Sequence, residues 1–211
     1  MIELFGHPFS SYTWKALIPI YETGVAFEFR DISGSDHPEN EAPFLHHWPV
    51  GKFPLLVDGE IALPEASIIV EHIAPHFVPI DRDAAREVRL LDRIFDNHVM
   101  NVATIVVLAA IRKGDVTAAR AEAGAALDKV YGWLDTRLAG RAWAAGNDFT
   151  LADCAGAPSL FYADWVHPIP EHLNMLKAYR TRVLARPSVA RCVEEARPDR
   201  HYFPLGAPDR D

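Results

Sequence analysis

The sequence predicts an α/β unit followed by an all-α unit. Three observations carry this expectation. Short stretches that alternate apolar and polar residues occur only in the first third of the chain. A helical stretch separates the first two of them, and an Asp-Gly turn joins the next two. From about Asp83 onward the apolar residues recur at helical spacing and strand patterns vanish.

The elements follow in order. "IELFG" and "AFEFRDI" read as half-buried strands. Between them, "SYTWKALIPIYETG" places Tyr12, Ala16, Leu17, Ile20 and Tyr21 near helical spacing and stops at Gly24, which completes a β-α-β unit. Pro19 removes one backbone hydrogen bond and favours a kink, so the last turn of this helix is left open. The polar, Pro-containing stretch from Ser33 to Pro43 is assigned no element. "FPLLVDG" and "EIALP" read as a hairpin turning at Asp58-Gly59, and "EASIIVEHIAPHF" as the helix after it. Then come "AAREVRLLDRIFDNHVMNVATIVVLAAIRKG" (one long helix or two), "AARAEAGAALDKVYGWLDTRLAG" stopped by Gly140, "TLADCAGAPSLFYADWV" and "LNMLKAYRTRVLARP". The change of pattern within "VPIDRDA" places a domain boundary there, giving domains at residues 1–78 and 84–211. There is no internal repeat and no low-complexity segment.

Composition narrows the function. The chain has 211 residues, 49% of them hydrophobic and 24% charged, which is enough to bury a core. A net charge of −8 argues against nucleic acid and against an anionic membrane surface as partners. The longest apolar run, "VATIVVLAAI", is too short to span a bilayer and reads as a buried helix. Cys154 and Cys192 form no C-x-x-C pair and are too few for a disulfide framework, and the N-terminus has no signal-peptide pattern, so a reducing cytoplasm is expected. His46 and His47 are adjacent and lack zinc-ligand spacing, so no metal is expected.

Four local features carry chemistry. Ser10 and Ser11 stand at the mouth of the first helix, where hydroxyls cap the helix or hold an anion or a sulfur. "VGKFPLLVDG" has an X-Pro bond entering a strand; a cis Phe53–Pro54 bond there would expose the Phe53 backbone. "LPEASII" sets a carboxylate at a helix N-terminus. "NDFTLADC" reads as a capping box of Thr150 and Asp153 with Phe149 and Cys154 as a hydrophobic staple, a structural device.

With "LFGHPFSSYTWKAL", "PVGKFPLLVDG", "LPEASIIVEHI", "FTLADC" and "LARPSVAR" in this order, the chain resembles the cytosolic glutathione transferase family over nearly its whole length. "SSYTW" looks closest to the serine-type members, such as zeta-like and related bacterial branches. The resemblance implies a thioredoxin-like N-terminal domain that binds glutathione, a helical C-terminal domain that shapes a second-substrate pocket, and a homodimer. It implies that Ser10 contacts the glutathione sulfur; Ser11 is then left to cap the helix, and as the adjacent hydroxyl it is the rival for the sulfur contact. It further implies that Phe53, before a cis Pro54, pairs with the cysteinyl part, that Lys52 reaches the glycine carboxylate, and that Glu65 and Ala66 hold the γ-glutamyl end. Two positions depart from the family pattern: Ala66 stands where serine is usual, with Ser67 one position late and pointing elsewhere, and Trp48 stands where asparagine is common.

A hydroxyl donating to a thiolate contributes roughly 1.5–3 kcal/mol, enough to lower a thiol pKa by about one to two units. Serine cannot form a mixed disulfide as cysteine would, so glutathione is expected to act as nucleophile on an electrophile and not in thiol–disulfide exchange. Candidates for an apolar second-substrate pocket are Phe9, Tyr12, His98, Met100, Tyr162 and Trp165. His98 also reads as a satisfied core residue, and Trp133, Trp143, Tyr162 and Trp165 as mostly core. The rival reading, favoured by Ala66, is a glutathione-binding scaffold without turnover.

Overall fold

The computed structural model describes residues 1–34 and 37–211, so part of the polar connection after Ser33 lies outside the described residues. Strand β1 (Ile2–Gly6) pairs in parallel with β2 (Phe27–Asp31) across helix α1 (Ser11–Thr23). Strand β3 (Leu55–Asp58) runs antiparallel to β1 with Leu4 opposite Leu56, and β4 (Ile61–Leu63) antiparallel to β3, giving the order β2-β1-β3-β4. Gly59, at φ 60°, makes the expected hairpin turn. Helix α3 (Ala66–Ile73) follows, and a short 3-10 turn, Pro75–Phe77, leads out of this thioredoxin-like unit.

Helix α1 runs through Pro19 without a break and ends at Gly24, whose N–H donates to Ile20 O. Trp14, Lys15, Ala16, Ile18 and Ile20 are all buried, because α1 is packed by α3 on one side and by the helical unit on the other. The proline is tolerated because packing on all sides holds the helix, so one missing bond does not decide its course.

The connection left without an element contains helix α2 (Pro38–His47). Only Asn40 and Phe44 of it are buried; Asn40 Nδ2 donates to Asp31 O at 2.8 Å, and Phe44 stacks on Phe5 with ring centres 6.1 Å apart. Two anchors in ten residues leave no helical period to read.

The rest is helical. Helix α4 (Arg82–Ile94), a π-helical turn (Phe95–Met100) and α5 (Asn101–Ile111) form one continuous helix of 30 residues. By length and composition alone it could cross a membrane; 33% of its most apolar window is buried. The expectation of a buried helix in "VATIVVLAAI" is corrected: in α5 only Ala103 and Val106 are buried, while Ile105, Leu108 and Ile111 are exposed. One side of α5 packs on α6 (Val116–Leu138), and the others face a cavity and the surface. Helices α7 (Leu151–Val166), α8 (Asn174–Leu184) and α9 (Pro187–Glu195) follow, then a 3-10 segment, Arg197–Tyr202. Trp133 is exposed, not core, with Arg137 over its ring.

Helix α7 is buried along its whole length. Its capping box forms: Asp153 Oδ2 accepts from Thr150 N–H at 2.9 Å. Asp153 Oδ1 also accepts from Ala144 N–H and from the Tyr179 hydroxyl, each at 2.8 Å, so this buried carboxylate ties three segments together.

Ionic contacts join the units, one of them between Glu71 of α3 and Arg89 of α4 at 2.6 Å and two more along α1. Lys15, 1% exposed, sits where α1 meets α3 and α4. Its Nζ lies 2.6 Å from Asp92 Oδ1, 2.6 Å from Asp96 Oδ2 and 2.9 Å from Ser67 Oγ. Farther along α1, Glu22 is gripped by Arg186 Nε at 2.7 Å and Nη2 at 2.6 Å, and by Ser188 Oγ. Burial pushes the Glu22 carboxyl up, but the bonds from Arg186 and Ser188 outweigh it and hold the pKa below the ordinary 4.5.

Lys15→Met leaves Asp92 and Asp96 buried against each other, and urea unfolding should show a loss of roughly 3–5 kcal/mol. Because the folded pKa of Glu22 is depressed, its stabilisation is complete above the unfolded value of 4.5 and is lost as pH falls through the folded one. Wild type should therefore exceed Glu22→Gln by about 1 kcal/mol at neutral pH, with the two unfolding curves converging in acid.

Candidate functional site

The site begins where β1 ends. A Cβ on Gly6 would stand 2.6 Å from Thr13 Cγ2, so glycine lets the strand end approach the first turn of α1. The loop then folds on itself: Ser10 N–H donates to His7 O at 3.0 Å, Phe9 N–H to His7 Nδ1 at 3.0 Å, and the Trp14 indole N–H to Pro8 O at 2.7 Å. With Nδ1 accepting, the His7 proton sits on Nε2. Burial lowers the pKa of this imidazole against the pull of Asp31 and Asp199, which keeps it neutral near pH 7.

The division of labour expected for the two serines is corrected. Ser10 is the cap: its Oγ accepts from Thr13 N–H at 3.3 Å, and Ser11 is the first helical residue, nearly buried. The cap uses a lone pair of Ser10 Oγ, so its O–H is still able to donate. The extended backbone at Ser10 makes it the cap; two adjacent hydroxyls in sequence do not reveal which one takes that conformation.

The Phe53–Pro54 bond is cis and leads into β3. Helix α3 opens at Ala66, with Glu65 as an extended flanking residue that makes no side-chain cap. Ser67 Oγ turns inward to Lys15 and to Asp92 Oδ2, the latter at 3.0 Å, as its offset position suggested. Trp48 packs against the small core around Phe5 and Phe44, its indole N–H without a partner among the described residues.

Two cavities meet at this point. A polar one of about 290 Å³ brings Lys52, Phe53, Pro54, Glu65 and Ala66 together. An apolar one of about 330 Å³ is lined by Phe9, Ser10, Tyr12, Met100 and Tyr162, with Phe203 and Pro204 of the C-terminal segment. Tyr12 and Phe53 belong to both. The Tyr12 hydroxyl donates to Asn101 Oδ1 at 2.9 Å, and burial raises its pKa, so it stays neutral.

Two pocket candidates are corrected. His98 is exposed and lines neither cavity: the π turn carries an extra residue per turn and swings position 98 to solvent while Met100 faces the cavity. Trp165 is buried behind the wall, packed on Phe9 and Phe203, so Phe9 separates it from the cavity.

The polar cavity also holds residues the sequence reading missed: Arg93, Asp96, Asn97 and Asn101, from the long helix. A signal existed, since Arg93, Asn97 and Asn101 recur every four residues and so share one helix face. Burial raises the Asp96 pKa, with Lys15 pulling against it. Cys154 and Cys192 are buried, free, and pushed well above the ordinary thiol range by burial. Among the described residues, no group of His, Cys, Asp or Glu is arranged to hold a metal ion.

Comparison with known proteins agrees with this architecture. Residues 1–75 match the family profile described as glutathione S-transferase, N-terminal domain, and residues 98–187 that described as glutathione S-transferase, C-terminal domain. Glutathione S-transferase F6 of Arabidopsis thaliana is 37% identical over 76 residues, a match spanning 36% of this chain and 36% of that protein. A glutathione S-transferase of Silene vulgaris is 27% identical over 89% of this chain and 94% of its own length. A stringent starvation protein A homolog of Coxiella burnetii is 25% identical over 93% of each. Among solved structures, the glutathione-bound theta class enzyme of Xanthomonas axonopodis pv. citri superposes with a TM-score of 0.77 at 24% identity, over 91% of this chain and 96% of that one. With two family domains in order, and the cis-proline turn and open α3 terminus meeting at one polar cavity, the chain belongs to the glutathione S-transferase family.

Proposed function

We propose that the protein is a serine-type glutathione transferase that activates the thiol of glutathione for attack on a small apolar electrophile. The observation that carries this is the position of Ser10. It lines the apolar cavity at the N-terminus of α1, next to a polar cavity holding Lys52, Phe53, Glu65 and Ala66. A tripeptide in the polar cavity, with its glycine carboxylate toward Lys52 and its γ-glutamyl end at Glu65 and Ala66, would bring its sulfur to Ser10.

The Ser10 hydroxyl and the α1 terminus both favour negative charge on that sulfur. The thiol proton leaves to solvent on binding. The thiolate then forms a C–S bond while a leaving group departs with its electron pair, or while an activated double bond takes up a proton. Phe9, Met100 and Tyr162 supply an apolar surface for the electrophile. Placement in a zeta-like or related branch rests on "SSYTW" alone. The division at 1–78 and 84–211, a cytoplasmic location, and a lack of nucleic-acid or membrane partners complete the reading. So does a homodimer, which the exposed Ile68 and Leu90 of α3 and α4 support.

A second reading is a scaffold of the same fold that binds glutathione without turnover. Ala66 favours it, since it removes one hydroxyl from the γ-glutamyl site, and so does the similarity to a protein named for stringent starvation.

The test is a thiolate difference spectrum, with glutathione titrated into wild type, Ser10→Ala and Ser11→Ala across pH. Wild type should form thiolate about one to two units below the free thiol's pKa of ~8.5. Ser10→Ala should return the thiol toward that value and lower turnover roughly 10- to 100-fold, while Ser11→Ala keeps both. Since the substitution also removes a helix cap worth about 1 kcal/mol, the comparison is made where both proteins are folded. Bound glutathione with an unshifted thiol would favour the scaffold, and loss in Ser11→Ala alone would move the role to Ser11.

A further inference from the structure

Ala66 leaves the γ-glutamyl α-carboxylate with only backbone N–H groups at the start of α3. Ser67 is not a substitute, because its Oγ is buried and committed to Lys15 and Asp92. Arg93 lies across the same helix start. Its Nη2 donates to Ser67 Oγ and Asp92, and its Nε donates to Asp92 Oδ2 at 2.9 Å. The guanidinium is thus held along one edge by groups of α3 and α4. Its side chain is nevertheless 52% exposed, it lines the polar cavity, and Nη1 has no protein partner among the described residues. With Nε and Nη2 committed, the planar group is fixed and Nη1 alone is left to offer its two N–H donors, which suits a charge-assisted bond to one carboxylate.

Resting on the glutathione reading above, we infer that Arg93 takes over the task of the absent serine hydroxyl and binds the γ-glutamyl α-carboxylate. The charges around the cavity fit this. Lys15, Lys52 and Arg93 balance Glu65, Asp92 and Asp96. A γ-glutamyl end is a zwitterion and enters without adding net charge, its ammonium toward Glu65 and Asp96 and its carboxylate toward Arg93. Asn97, four residues on from Arg93, lines the same cavity and offers a neutral donor beside it.

The test compares two peptides by calorimetry: glutathione, and γ-aminobutyryl-cysteinyl-glycine, which lacks the α-carboxylate. Arg93→Gln should weaken glutathione roughly 10-fold and leave the decarboxylated peptide unchanged. Arg93→Lys, which keeps a charge beside Asp92 and so guards the fold, should give a smaller loss on glutathione alone. Adding Ala66→Ser to Arg93→Gln should recover most of the lost affinity. If the Arg93 variants lose both peptides equally, or lose neither, the inference is overturned and the glutathione reading stands. A wild-type protein that binds neither peptide overturns both.

Discussion

Lys15 is a charge placed where the fold gives it no water, and its neighbours are arranged around that fact. A buried ammonium without partners is costly to desolvate. Here Asp92 and Asp96 flank it, Ser67 Oγ fills a further hydrogen-bond position, and Arg93 offsets the second carboxylate. The four partners come from α3, α4 and the π turn, while Lys15 comes from α1. Such a set is a poor source of net stability, because desolvation takes back much of the Coulomb energy. Its effect is positional. It accepts only one relative placement of the sheet unit and the helical unit, and the polar cavity lies along that junction.

The same junction explains why two helix starts open onto the cavities. Helix α1 carries Ser10 at its first turn, and α3 carries Ala66. Each start leaves backbone N–H groups without helical partners, and the α3 start has no side-chain cap to occupy them. Ser10 does cap α1, yet a hydroxyl accepts and donates at once, so capping and sulfur binding are compatible in one side chain. Capping and the proposed sulfur contact therefore do not compete: the cap fixes the position of the oxygen from which the hydroxyl would donate.

What the sequence made legible is what depends on local pattern. The hairpin at Asp58-Gly59 and the Thr150–Asp153 capping box rest on short-range rules, the cis Phe53–Pro54 entry to β3 on the family resemblance, and all are present. The misses share a different cause. Helix α2 is held by two contacts from Asn40 and Phe44 to distant strands, which no window reveals. His98 is turned to solvent by a π turn, which no residue pattern in the sequence marks. Trp165 is core, as one of its two readings had it, and Phe9 packs between it and the residues that line the cavity. Arg93, Asp96, Asn97 and Asn101 were passed over because polar residues in a long helix ordinarily face solvent, and only packing α4 against α3 turns them to the site.

The π turn separates the two halves of one continuous helix. Upstream, Asp92 and Arg93 meet α3 and the buried lysine; downstream, Met100, Ala103, Thr104 and Val107 line the apolar cavity. An α-helix with a single phase would carry one face along both contacts. Widening the turn at Phe95–Met100 rotates the face, so that one helix presents a polar edge to the first cavity and an apolar edge to the second. Tyr12 reaches across at this point to Asn101, just past the turn, and lines both cavities. The boundary between the polar and the apolar cavity is therefore built from Tyr12 of α1, from Phe53 before the cis proline, and from one change of helical pitch. In the proposed reaction the glutathione sulfur would sit at that boundary, where Ser10 stands.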